Sequence, residues 1–167
     1  MHANLTHLAF NMLTLCMLGP TVETALGRGR YIAFSVLCAW ASLAGFLLFS
    51  RSNWQVGLGY SGVIFGILTA QAIYHPNHRV VLFAVFPLRM RRAALLLGTI
   101  ECYLTLNAGR ASAANAAHLF GAVAAFGYVM LIRYRRNRPS RETGQLRSNR
   151  VPLRKAWCFR NDIPREL

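Results

Sequence analysis

Gly57-Leu58-Gly59-Tyr60-Ser61-Gly62-Val63-Ile64-Phe65-Gly66, running on without a charge from Ile67 to Tyr74, is the stretch on which the fold turns. Three glycines gathered around one serine suit an irregular, closely approached backbone better than a helix interior. The apolar remainder predicts a helix from about Ser61 to Tyr74, 14 residues long. At 1.5 Å per residue that is about 21 Å, short of the roughly 30 Å hydrocarbon core of a bilayer. Such a helix has to begin below one membrane surface. Non-helical backbone at that depth is tolerated only where it lines a protein cavity or a water-filled pocket. Ser61 is thus expected at a buried helix start, where free N–H groups and the positive end of the helix dipole suit a developing oxyanion. The string is not the Gly-x-Ser-x-Gly elbow of soluble hydrolases, because Val63 stands where the last glycine would be.

The sequence on either side supports a membrane setting. Of the 167 residues, 54% are hydrophobic and 14% charged, well under the roughly 25% charge usual in soluble domains. Tracts free of Asp, Glu, Lys and Arg cover Met1–Val22, Tyr31–Phe49, Trp54–Tyr74 and Ala111–Ile132. A shorter fifth tract, Ala93–Ala108, is interrupted by Glu101. The fold class expected is therefore all-α, a polytopic transmembrane helix bundle with five spans. The membrane domain covers residues 1–133, and residues 134–167 form a basic, weakly ordered tail.

Basic residues set the orientation, since Lys and Arg collect on the cytoplasmic side. With the first span running inward, 17 of the 19 basic residues fall inside, and only Arg51 and Arg110 fall outside. The C-terminus is then cytoplasmic. The net charge of +14 raises the possibility of nucleic-acid binding. The arginine runs lack aromatic interleaving, helix-turn-helix pattern and zinc spacing, so no nucleic acid is expected. Anionic lipid headgroups are the expected partner of the tail. Cys16, Cys38, Cys102 and Cys158 show neither redox nor metal spacing and read as small packing residues. No metal or other cofactor is called for.

Polar groups inside spans need a reason. His7 and Asn11, four apart, share a helix face in the outer half of the membrane, with His2 just before them. In the last tract Asn115, His118, Gly121 and Ala125 fall on related turns. Ala117, Gly121 and Ala125 form a ridge of small residues, as do Gly62 and Gly66, and such ridges let membrane helices approach closely. If the two ridges pack together, Ser61 and His118 meet at one depth, as a nucleophile and its base must. Each alone has a blander reading, as a helix cap or a structural hydrogen bonder. No acid obviously completes a triad. Glu142, Asp162 and Glu166 lie in the tail and Glu23 at the cytoplasmic end of the first span, leaving Glu101 as the one acid able to reach the outer half. That Glu101 orients His118 is the less favoured alternative; a Ser–His dyad is the simpler reading, with Glu101 near the outer boundary or facing polar groups.

Four strings in order, His2–Met12, Leu18–Gly27, Gly59–Gly62 and Ala117–Gly121, resemble the rhomboid intramembrane serine proteases of bacterial type over about Met1–Ile132. The resemblance implies a serine-type endopeptidase that cleaves transmembrane helices of membrane-protein substrates, in the bacterial inner (cell) membrane. It implies Ser61 as nucleophile, His118 as base, and His7, Asn11 and the Ser61 N–H as oxyanion donors. His2, Gly59, Gly62, Phe65, Asn115 and Gly121 are supporting positions, Phe65 matching the aromatic that packs against the catalytic histidine. The family core has six spans and the motif at His2 belongs to the second, so about five are expected here, in a truncated, misassigned or shortened form. Ala125 stands where many members have glycine. A non-catalytic relative that binds membrane clients is the alternative; the presence of both Ser61 and His118 speaks against it. A transporter would show internal repeats or paired broken helices, and neither is found.

Overall fold

A computed structural model describes residues 5–50, 60–82, 86–107 and 112–137. Among the described residues five helices follow one another, with a short hairpin between the third and fourth. They are α1 (Leu5–Leu26), α2 (Arg28–Phe49), α3 (Ser61–Tyr74), α4 (Met90–Asn107) and α5 (Ser112–Asn137). The strands are β1 (Arg79–Leu82) and β2 (Phe86–Arg89), paired antiparallel from Arg79↔Arg89 to Leu82↔Phe86. The described helical residues belong to a unit spanning Met1–Arg135, apart from the last two of α5.

Among the described residues three helices, α1, α2 and α5, are long and apolar enough to cross a membrane. The expectation of five spans corresponds to five helices, but two differ from a simple span. Helix α3 has 14 residues, as the sequence predicts. Helix α4 starts three residues earlier than the tract read from the sequence and carries Arg91, Arg92 and Glu101. The hairpin was not anticipated. Its strands are four residues each, Pro87 interrupts the second, and no polar alternation marks them.

Only Gly27 separates α1 from α2, and its φ of 83° is left-handed backbone that suits a residue without Cβ. Its N–H donates to the Glu23 carbonyl at 2.7 Å, closing the end of α1. On α2 the buried residues are Phe34, Cys38, Ser42 and Gly45, a stripe at helical spacing, whereas Ile32, Val36, Trp40 and Leu47 face outward. Helix α3 is buried on nearly every side: Ser61, Gly62, Val63, Ile64, Gly66, Ile67, Ala70 and Gln71 are all enclosed. It is the centre of the bundle.

The seam around α3 is built from small residues. A Cβ on Gly66 would stand 2.8 Å from Cys38 Sγ and 3.4 Å from the Ala125 Cβ. One on Gly62 would collide with Ser42 Oγ, and one on Gly121 with the Gly62 carbonyl oxygen. The predicted ridges of α3 and α5 therefore do meet, running parallel. Helix α2 runs antiparallel to both, since Gly45 packs on Phe120 near the start of α5 while Phe34 packs on Tyr128. At the other end Leu18, Val22, Leu26, Phe34, Ile67, Met90 and Val129 form a core of larger apolar side chains. Outward-facing leucines and aromatics around a small-residue seam suit lipid on the outside.

Candidate active site

Ser61 is the first residue of α3 and is buried. The first backbone bonds of this helix run from the Val63 and Ile64 N–H groups to the Tyr60 carbonyl. The Ser61 N–H precedes them, as expected for an orphan donor at a helix start. Tyr60 itself caps with near-helical φ and ψ of −67° and −1°, and no side chain caps the helix.

His118 lies two turns into α5, where the seam holds the helices at close range. Its Nε2 is 2.9 Å from Ser61 Oγ, across 57 positions of sequence. The Phe65 ring stacks on the imidazole with centroids 4.5 Å apart and planes 7° apart. Phe65 is on the turn of α3 after Ser61, so one helix supplies both the serine and the platform for its partner. The structure thus brings Ser61 and Phe65, both named from sequence, into contact with His118.

The acid takes the less favoured of the places expected for it. Glu101 Oε1 lies 3.0 Å from His118 Nδ1, and the two side chains are 13% and 16% exposed. The histidine is therefore held at both nitrogens, and a reading limited to a Ser–His pair leaves out its second neighbour. The reason is geometric: Glu101, about two turns before the end of α4, and His118, about two turns into α5, lie at one level. The cost of a charged group within a span should have pointed to a polar partner nearby.

Gly62 and Gly121, named as supporting residues, are where α3 and α5 come closest. Asn115 is half-buried one turn before His118. His7 and Asn11 lie on α1, which packs against α3. Asn11 is 6% exposed, and among the described residues its Nδ2 is buried with no hydrogen-bond partner. Buried donors are rarely left so unless a ligand or water completes them. His2 and Gly59 lie outside the described residues.

Ser42 was not singled out from sequence. Its hydroxyl is buried against Gly62 and Gly121, and among the described residues it too has no hydrogen-bond partner. Its place in the stripe Phe34-Cys38-Ser42-Gly45 was a readable signal that α2 shares this seam.

A serine hydroxyl on an imidazole nitrogen, with an aromatic behind the ring, can do nucleophilic acyl transfer. Comparison with known proteins agrees with that chemistry. The family model described as the Rhomboid domain matches residues 1–135. A rhomboid protease, AarA of Providencia stuartii, is 31% identical over 144 residues, covering 74% of this chain. The chain spans about half the length of that relative, 50%. No solved structure matches it.

Proposed function

Because the chain belongs to the rhomboid family and is an integral membrane protein, we propose that it is a serine-type endopeptidase acting on transmembrane segments of other proteins. The observation that carries this reading is the 2.9 Å approach of His118 Nε2 to Ser61 Oγ.

In the proposed reaction Ser61 Oγ attacks the scissile carbonyl carbon while its proton passes to His118 Nε2. The carbonyl oxygen becomes an oxyanion, held by the Ser61 N–H at the start of α3, by Asn11 Nδ2 and by His7. The unpaired state of Asn11 Nδ2 supports this role, since the donor is complete only when an acceptor arrives. The tetrahedral intermediate collapses as His118 returns the proton to the leaving nitrogen, and water then repeats the sequence on the acyl-enzyme. The stacked Phe65 ring keeps the imidazole plane fixed through both halves.

The substrate would enter sideways from lipid, with its helix locally unwound to expose a peptide carbonyl at the depth of Ser61. The basic segment 134–167 would lie on the cytoplasmic face against anionic headgroups. The bacterial inner membrane is the proposed location.

Cleavage of a model transmembrane substrate in reconstituted membranes tests the reading. The wild-type protein should release the two fragments, and Ser61→Ala and His118→Ala should not, while all three unfold at similar temperatures. Equal cleavage by either variant would contradict it.

A further inference from the structure

Glu101 is the one acid on α4, and its carboxyl group is 13% exposed and directed at the nitrogen of His118 that Ser61 does not use. We propose that Glu101 is a positioning residue that completes a Ser61–His118–Glu101 relay. It accepts a hydrogen bond from His118 Nδ1–H and so presents the Nε2 lone pair to Ser61. This rests on the protease reading above and extends it.

Stacking on Phe65 leaves this task undone. A face-to-face contact with the ring at 7° fixes the imidazole plane. It is indifferent to which nitrogen carries the proton, and to a half-turn of the ring within that plane. In the tautomer protonated at Nε2 the histidine cannot take the Ser61 proton. A carboxylate 3.0 Å from Nδ1 removes that ambiguity, because only Nδ1–H gives it a donor. Its negative charge also lies beside the imidazolium that forms when Ser61 attacks, in a site shielded from water, where such an interaction is strongest. The proton book closes without Glu101: Ser61 loses one proton to His118 Nε2, and His118 delivers it to the leaving nitrogen. Glu101 neither gives nor takes it.

The second carboxylate oxygen, Oε2, is buried and without a hydrogen-bond partner among the described residues. A purely structural acid in a span would be expected to use both oxygens. The arrangement instead commits one oxygen to the histidine.

The experiment uses the full chain in lipid nanodiscs with ¹⁵N-labelled histidine, with the His118 signals assigned by their loss in His118→Ala. Glu101→Gln keeps the shape and can still accept at its carbonyl oxygen, but its amide can also rotate to donate to Nδ1. In the wild type His118 should show one tautomer, protonated at Nδ1, and in Glu101→Gln a mixture. Cleavage by Glu101→Gln should fall about 10²-fold in kcat with KM unchanged, and Glu101→Asp should recover part of it. Unaltered kcat with the Nδ1–H tautomer retained in Glu101→Gln would overturn the proposal. If the wild type cleaves nothing while its His118 tautomer still depends on Glu101, the protease reading fails and the positioning role stands.

Discussion

The two ends of α3 are built on different plans. Its first turns, Ser61 to Gly66, meet Ser42, Cys38, Ala117 and Gly121, all small side chains. Its later turns, with Ile67 and Ala70, join Leu18, Val22, Leu26, Phe34 and Met90 in a larger apolar core. Among the described residues, buried polar atoms without a hydrogen-bond partner occur toward both ends: Asn11 Nδ2, Ser42 Oγ and Glu101 Oε2 toward the first, Ser35 Oγ and Gln71 Oε1 toward the second. The second end has Gln71, whose Nε2 reaches His78 Nδ1 at 3.3 Å. One end of a single helix thus carries the serine that meets the imidazole, while the other is seated in the larger apolar core. Precision at Ser61 depends on both, because a serine held on a short helix is only as well placed as that helix.

Breaking the polar end should abolish chemistry and spare the fold. Ser61→Ala is expected to reduce cleavage at least ~10⁴-fold, with the unfolding temperature unchanged. Asn11→Ala is the sharper probe. Among the described residues its Nδ2 has no partner to lose, so stability should hold while kcat falls roughly 10²–10³-fold. A loss of stability instead would make Asn11 a packing residue and weaken the oxyanion assignment.

Breaking the apolar end should do the reverse. Ile67 is fully buried, and Ile67→Ala should lower unfolding stability by about 2 kcal/mol. That lies at the low end of the range for such changes, because lipid is as apolar as the space vacated. Activity per folded molecule should stay within about twofold, a small effect in transition-state terms. Steady-state cleavage normalised to folded protein separates the two effects. The smallest change is expected from Gln71→Leu. It removes a buried oxygen that has no partner, and His78 is exposed to water, so stability should shift by less than about 1 kcal/mol in either direction.

The start of α3 was legible because glycines crowd a serine ahead of a charge-free run too short to span a bilayer. The meeting of Gly62 and Gly66 with Ala117, Gly121 and Ala125 was legible because small residues repeat at helical spacing. The place of Glu101 was legible only as a less favoured alternative, since its reach to His118 depends on the rotation of α4 about its own axis. A tract with one acid and an unremarkable apolar pattern does not encode that rotation. The part played by α2 was only partly legible: the stripe Phe34-Cys38-Ser42-Gly45 marks a buried face, but Ser42 is a single hydroxyl in a long apolar run, and only its neighbours give it a place. The hairpin from Arg79 to Arg89 escaped because four-residue strands are fixed by pairing with each other more than by local pattern.

The most direct test of the central claim is labelling with a fluorophosphonate, a reagent that traps activated serines, on the protein in bilayers, followed by peptide mapping. Ser61 and Ser42 lie on either side of Gly62 in one seam, but Ser61 alone has an imidazole nitrogen at 2.9 Å. The account predicts an adduct on Ser61, none on Ser42, and loss of the adduct in His118→Ala. A folded protein that takes no label, or one that labels equally with His118 removed, would contradict it.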